Sequence, residues 1–132
     1  MPILNVKLSS PASVALSRKV ADTLSALSTR LLGKDPRVTS IAIDFVSPAH
    51  WYIGGKPLSE QGVESFFFDI RITDETNTKA EKAAFVAEAY AALCQLLGPV
   101  HEESYIHVHD VRAASYGYGG RTQEWRYQHP AA

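Results

Sequence analysis

The chain has 132 residues, the size of one domain, with 45% apolar and 20% charged residues and a formal net charge of −1. Its basic residues are scattered and no apolar run approaches the ~18–20 residues of a membrane span, so neither nucleic acid nor membrane is expected as a partner. The single cysteine, Cys94, excludes an internal disulfide and reads as a small buried hydrophobe; with no signal-peptide pattern at the N-terminus, a reducing, cytoplasmic setting is expected.

Residues Pro2 to Leu8 read as a strand, with Leu4, Val6 and Leu8 alternating against Ile3, Asn5 and Lys7. Ser9, Ser10 and Pro11 predict a turn and a helix start, with Pro11 close to the first helical turn. Val20, Leu24, Leu27 and Leu31 mark the inner face of that helix, and Gly33 ends it. Ser40 to Val46 is a second strand, followed by a hairpin-like stretch at Trp51-Tyr52-Ile53-Gly54-Gly55. A third strand spans Phe66 to Thr73, with Phe66, Phe68, Ile70 and Ile72 on one face. A second helix runs from about Thr76 to Leu97, its stripe read as Val86, Tyr90, Leu93 and Leu97, and Gly98-Pro99 stops it. Tyr105 to Val111 is the fourth strand. Gly117, Gly119 and Gly120 introduce a flexible turn and an aromatic tail with Trp125 and Tyr127.

The two halves read as copies. Pro2 to Ser9 lies over Phe66 to Thr73 at an offset of 64. Leu31-Leu32-Gly33 lies over Leu96-Leu97-Gly98, and Gly54-Gly55-Lys56 over Gly119-Gly120-Arg121, both at 65. A one-residue slip between strand and helix accounts for the change. The expected fold is therefore α/β: two fused β-α-β units in one domain, 1–132, with pseudo-repeats at about 2–64 and 65–132. A helix joining two strands makes them parallel, so the units side by side give a four-stranded mixed sheet with both helices on one face. The opposite face is amphipathic, with Asn5, Lys7, Asp44, Asp69 and Arg71 beside Ile3, Phe67 and Tyr105, and the edge strands are open. A symmetric oligomer that buries them is expected.

Pro2 stands directly before the first strand. Removal of Met1 gives it a free secondary amine, and an α-amino group titrates near ~7.7–8.0, close to the value that proton abstraction beside a carbonyl requires. A proline ring fixes the direction of that amine, and the strand behind it anchors the base.

In Met1-Pro2-Ile3-Leu4, Gly33-Lys34-Asp35-Pro36, Ser40-Ile41-Ala42-Ile43 and Tyr105 to Val111, followed by Ala113-Ala114, the chain resembles the tautomerase superfamily. Within it the likeness is to the branch of macrophage migration inhibitory factor, related to 4-oxalocrotonate tautomerase, and it covers nearly the whole chain to about Tyr118. This resemblance implies a cofactor-independent isomerase that shuttles a proton between keto and enol forms of a small 2-keto acid, in a homotrimer with sites at subunit interfaces. It implies Pro2 as catalytic base, Lys34 as a pocket cation, Ile70 as an apolar pocket residue, and Tyr105 as a tyrosine lent by a neighbouring subunit. His107 stands where the branch carries an asparagine, and Tyr116 and Tyr118 where it carries a valine and a tryptophan, so substrate binding by His107 and Tyr116 implies a reshaped pocket. Hydratase, dehalogenase and decarboxylase branches share the proline but use a pair of arginines after the third strand. Here only Arg71 lies within that strand, and Ile72-Thr73-Asp74-Glu75 follows. A non-enzymatic binding or signalling module on the same scaffold is the reading from another class.

Two rival patterns carry less. His107 and His109 share one face of a strand, but no third ligand stands at convincing spacing, so no metal is expected. Gly117-x-Gly119-Gly120 opens no helix with the lysine and hydroxyl of a phosphate loop. Packing between subunits is the expected role of Trp51, Tyr52, Trp125 and Tyr127.

Overall fold

The computed structural model describes residues 2–130. Strand β1 (Ile3–Leu8) leads to helix α1 (Val14–Leu32) and strand β2 (Ser40–Phe45). A hairpin follows, β3 (Tyr52–Ile53) with β4 (Lys56–Pro57). The second half repeats the order: β5 (Phe66–Thr73), α2 (Lys79–Leu97), β6 (Tyr105–Val111), then a hairpin of β7 (Gly117–Tyr118) with β8 (Arg121–Thr122), and a short helix α3 (Gln123–Gln128).

The main sheet runs β2-β1-β5-β6. β1 is parallel to β2, β5 is parallel to β6, and β1 and β5 meet antiparallel at the centre. The expected mixed sheet is therefore the observed one. Register carries the one-residue slip as well: Ile3 faces Ser40 as Phe67 faces Tyr105, and the strand positions are 64 apart while their partners are 65 apart. Both small hairpins also sit 65 positions apart, each turning on a pair of glycines.

Burial follows the period-two pattern that fixes strand orientation. Leu4, Val6 and Leu8 of β1 and Phe66, Phe68, Ile70 and Ile72 of β5 face inward, against Val20, Leu24 and Leu27 of α1 and Phe85, Ala89 and Leu93 of α2. Phe68 meets Phe85 edge to face at 6.2 Å, the arrangement that ring quadrupoles favour.

Local corrections have physical reasons. Pro11 lies outside α1, because Ser13 caps the helix by accepting from the Leu16 N–H. At the other end Gly33 takes φ 69°, a left-handed turn whose N–H closes on Thr29 O. α2 starts after Thr78, not at Thr76: Thr78 and Glu81 form a reciprocal capping box. Its buried stripe is Phe85, Ala89 and Leu93: Leu93 is as read from sequence, but Phe85 and Ala89 stand one position before Val86 and Tyr90, and Val86 is 37% exposed. Cys94 is half-buried rather than fully buried. The aromatic tail is helical: Thr122 caps α3, and Trp125 lies within the chain's own contacts, under the Arg121 guanidinium at 4.1 Å and stacked on His129 at 4.2 Å. Among the described residues no helix is long and apolar enough to cross a membrane.

Candidate active site

Pro2 is buried at the foot of the sheet, where its carbonyl accepts from the Ser40 N–H at 3.2 Å and so ties the start of β1 to β2. Beside it opens a cleft of about 350 Å³. Pro2 and Ile3 form its floor, with Val38 and Ser40 on the β2 side. The antiparallel register sets Arg71 opposite Ile3, which brings a guanidinium to the same cleft. Tyr116, Gly117 and Tyr118, at the first arm of the second hairpin, form the far wall with Gln123 from α3.

Each wall group is held by a specific contact. Arg71 Nε lies 3.7 Å from Asp69 Oδ1, two residues along the same strand face. Asp69 Oδ1 is itself buried and has no hydrogen-bond partner, so its charge is balanced by the guanidinium alone among the described contacts. Tyr116 Oη and Thr73 Oγ1 share a 2.6 Å hydrogen bond, and burial raises the phenol above the usual tyrosine value despite it. Tyr118 is clamped from behind: the Arg126 guanidinium lies 3.7 Å over its ring and donates to its carbonyl at 2.7 Å. Gln123 is only 3% exposed at the cleft wall, where its side-chain amide lies against the Tyr116 phenol and, with Thr73, works against the rise that burial causes.

The remaining expected site residues lie elsewhere within the single chain. Lys34 does not line the cleft. It is 9% exposed just beyond the Gly33 turn, and Nζ donates to Thr76 Oγ1 at 3.0 Å. Burial lowers its pKa below the ordinary lysine value, opposed by Glu81 and Asp110. Thr76 Oγ1 donates in turn to the Thr73 carbonyl at 2.5 Å, so Lys34 stands two hydrogen bonds behind Thr73, the residue that holds Tyr116. Ile70 is wholly buried opposite Leu4, on the helix-facing side of the sheet, and belongs to the core cluster. Tyr105 is 54% exposed at the start of β6, where its hydroxyl donates to Glu103 at 2.5 Å, and it lines a different cleft. His107 sits further along β6, exposed, opposite Asp69, and stacked on His109 at 5.3 Å. Pro2 and Tyr116 thus share a cleft, and Lys34, Ile70, Tyr105 and His107 do not line it.

Arg71 and Gln123 are wall residues that the sequence reading did not assign to the site. Register is the signal for Arg71, since only antiparallel pairing of β1 with β5 brings it beside Ile3. The repeat is the signal for Gln123: it falls 65 positions after Leu58, and both are buried directly behind their hairpins. Among the described residues no group of three or more histidine, cysteine or acidic side chains converges as a metal site would require.

No family model matches the sequence, and no curated relative does. Solved structures do match. A fused 4-OT, solved as a wild-type symmetric trimer, superposes with TM-score 0.79 at 16% identity, over 92% of this chain and 96% of its own. Pt0534 inactivated by 2-oxo-3-pentynoate gives 0.80 at 14% identity, over 93% and 97%. The macrophage migration inhibitory factor-like protein of Entamoeba histolytica gives 0.75 at 18% identity, over 92% and 97%. The chain has the tautomerase fold. In that fold the Pro2 cleft lies at the foot of the first β-α-β unit, closed by the hairpin of the second.

Proposed function

We propose that this chain is a cofactor-independent tautomerase for a small 2-keto acid or related carboxylate, with Pro2 as general base once Met1 is removed. Met1 lies outside the described residues. One observation carries the reading: Pro2 and Arg71 line the same cleft, which puts a prospective base beside a prospective carboxylate clamp.

The chemistry follows from those groups. Unprotonated Pro2 takes a proton from the carbon next to the substrate carbonyl. The C–H electron pair becomes the new carbon–carbon double bond, and the carbonyl π pair moves onto oxygen. Arg71 pairs with the carboxylate, where a planar guanidinium offers two parallel donors. Tyr116, held by Thr73 and Gln123 at the cleft wall, offers its hydroxyl to the oxygen that gains charge. Protonated Pro2 returns its proton to that oxygen, and ketonisation runs the same steps backwards. Lys34 acts through Thr76, Thr73 and Tyr116 on the shape and potential of the wall. Tyr105 and His107 join the site from a neighbouring copy in a homotrimer. Such a reaction needs no metal or organic cofactor, and a cytoplasmic setting goes with it.

The test is ketonisation of enolic phenylpyruvate, followed by ultraviolet absorbance, on protein shown by mass to lack Met1. Loss of a positioned general base costs about 10²–10⁴-fold in rate, so Pro2→Ala is expected to fall by at least two decades. Arg71→Leu is expected mainly to raise KM, with Arg71→Lys recovering part of the loss. Equal rates in the parent protein and Pro2→Ala would overturn the mechanism.

A further inference from the structure

The strand that brings Arg71 to the Pro2 cleft also carries an acid that the proposed reaction does not use. Every second residue of β5 from Phe67 faces away from the helices, which puts Phe67, Asp69 and Arg71 on one side of the sheet. Aspartate is depleted in strands, and its carboxylate is destabilised wherever it loses water without gaining a partner. Asp69 is in that position: its side chain is 18% exposed, and Oδ1 is buried with no hydrogen-bond partner.

Its neighbours narrow what it does. Asn5 stands opposite it on β1 and His107 opposite it on β6. Lys7, two residues along β1 from Asn5, is taken by Asp44 at 3.4 Å. Among the described residues Arg71 is therefore the one ion-pair partner of Asp69, with Nε 3.7 Å from Oδ1. The carboxylate meets the guanidinium at Nε, the nitrogen nearest the main chain, and leaves the two terminal nitrogens for a substrate carboxylate. The two anions then lie at opposite ends of the guanidinium, with its charge between them. Without the anchor, Arg71 has somewhere else to go: its side chain is 47% exposed, and a long flexible cation gains hydration by turning to water. This contact joins two residues of a single strand, so it asks nothing of a neighbouring copy and no access from solvent.

We propose that Asp69 is a positioning residue of the Pro2 cleft, which keeps the Arg71 guanidinium turned toward the carboxylate of the substrate. The inference rests on Arg71 as the carboxylate clamp and adds the group that sets it. Asp69 itself touches no substrate and acts through Arg71.

The full-length protein, shown by mass to lack Met1 and labelled with ¹⁵N, is titrated with phenylacetate, an unreactive carboxylate, and with phenylacetamide, its uncharged isostere. The backbone amide of Gly117 at the cleft wall reports binding. Asp69→Asn keeps the size of the side chain and removes its charge, so it is expected to weaken phenylacetate about fivefold and phenylacetamide by less than about twofold. In an Arg71→Leu background the same substitution should change phenylacetate binding by less than about twofold, because the group it acts through is gone. Asp69→Glu, which restores the charge on a longer stem, should recover part of the affinity. In the ketonisation assay Asp69→Asn should raise KM by a similar factor with kcat within about twofold of the parent. Equal weakening of both probes, an unchanged or tighter phenylacetate midpoint in Asp69→Asn, or an effect that persists in Arg71→Leu would each overturn the proposal. If Arg71→Leu binds phenylacetate as well as the parent does, the clamp itself is refuted and the role of Asp69 falls with it. If Arg71→Leu weakens the probe and Asp69→Asn does not, the clamp stands and Asp69 alone is excluded. The titrations do not depend on turnover, so they are read apart from the Pro2→Ala assay.

Discussion

Lys34 and Tyr116 are joined through two threonines, and the junction makes a residue-scale prediction. The Lys34 ammonium sits in a site where desolvation outweighs the attraction of Glu81 and Asp110, so its folded-state pKa lies below 10.5. In the unfolded chain it returns to the ordinary value. Between the lowered folded value and 10.5 the unfolded state therefore binds more protons, and stability rises with pH across that window before levelling off above it. Lys34→Met keeps the stem and removes the charge, so the rise attributable to this group should vanish when urea midpoints are compared from neutral to alkaline pH. A slope identical to the parent's would remove Lys34 as its source. This junction also shows why the site was only partly legible from residues in order. Pro2 and Tyr116 are recognisable by position along the chain, whereas the place of Lys34 depends on Thr76, Thr73 and the turn that Gly33 makes. A lysine after a helix-ending glycine reads the same whether its side chain turns to a cleft or to a buried hydroxyl.

At the scale of elements, strict alternation made the strands easy to place and the helix faces harder. Reading Phe66 to Thr73 as a strand succeeds because every second residue is buried, a pattern that one-residue errors would invert. In α2 a shift of one residue turns the helix by only about 100°, so an alanine-rich surface blurs the stripe. Phe85, not Val86, points into the core. Phe85→Ala should accordingly cost about 3–5 kcal/mol, while Val86→Ser stays within about 0.5 kcal/mol of the parent, both read from urea denaturation. The tail escaped sequence reading for a different reason. α3 is six residues long and lacks an apolar stripe, and its order comes from the Thr122 cap and two guanidinium–aromatic contacts. Its hairpin depends on close approach at Gly117, where a Cβ would overlap the Arg121 carbonyl oxygen across the turn. Gly117→Ala should separate β7 from β8 and move Tyr116 and Tyr118 off the cleft wall. The expected result is a tautomerase rate lowered by more than tenfold with the far-ultraviolet spectrum of the main sheet and helices kept.

The whole molecule leaves one sheet face without a covering layer. α1 and α2 cover the side that carries Leu4, Phe68 and Ile70, and the other side carries Ile3 at 39% and Phe67 at 38% exposure beside Tyr105. The charges on that face are arranged in short-range pairs, Lys7 with Asp44 and Arg71 with Asp69, which makes it mixed rather than strongly repulsive. Strands β2 and β6 end the sheet with unpaired edges, and exposed edges next to apolar patches favour pairing with other chains unless something covers them. A closed ring of three copies would cover the face and the edges together, and it would also bring Tyr105 and His107 of one copy toward the Pro2 cleft of the next, which a monomer cannot do. Sedimentation equilibrium at micromolar concentration should therefore return three times the 14.5 kDa chain mass. Phe67→Lys places a charge at the centre of the face that such a ring would cover, without touching the core behind it. It should dissociate the assembly and lower the Pro2-dependent rate together, because both follow from the same contact. A monomeric parent would refute the assembly, and a dissociated Phe67→Lys protein that keeps the full rate would show that each chain completes its site alone, with Tyr105 and His107 outside it.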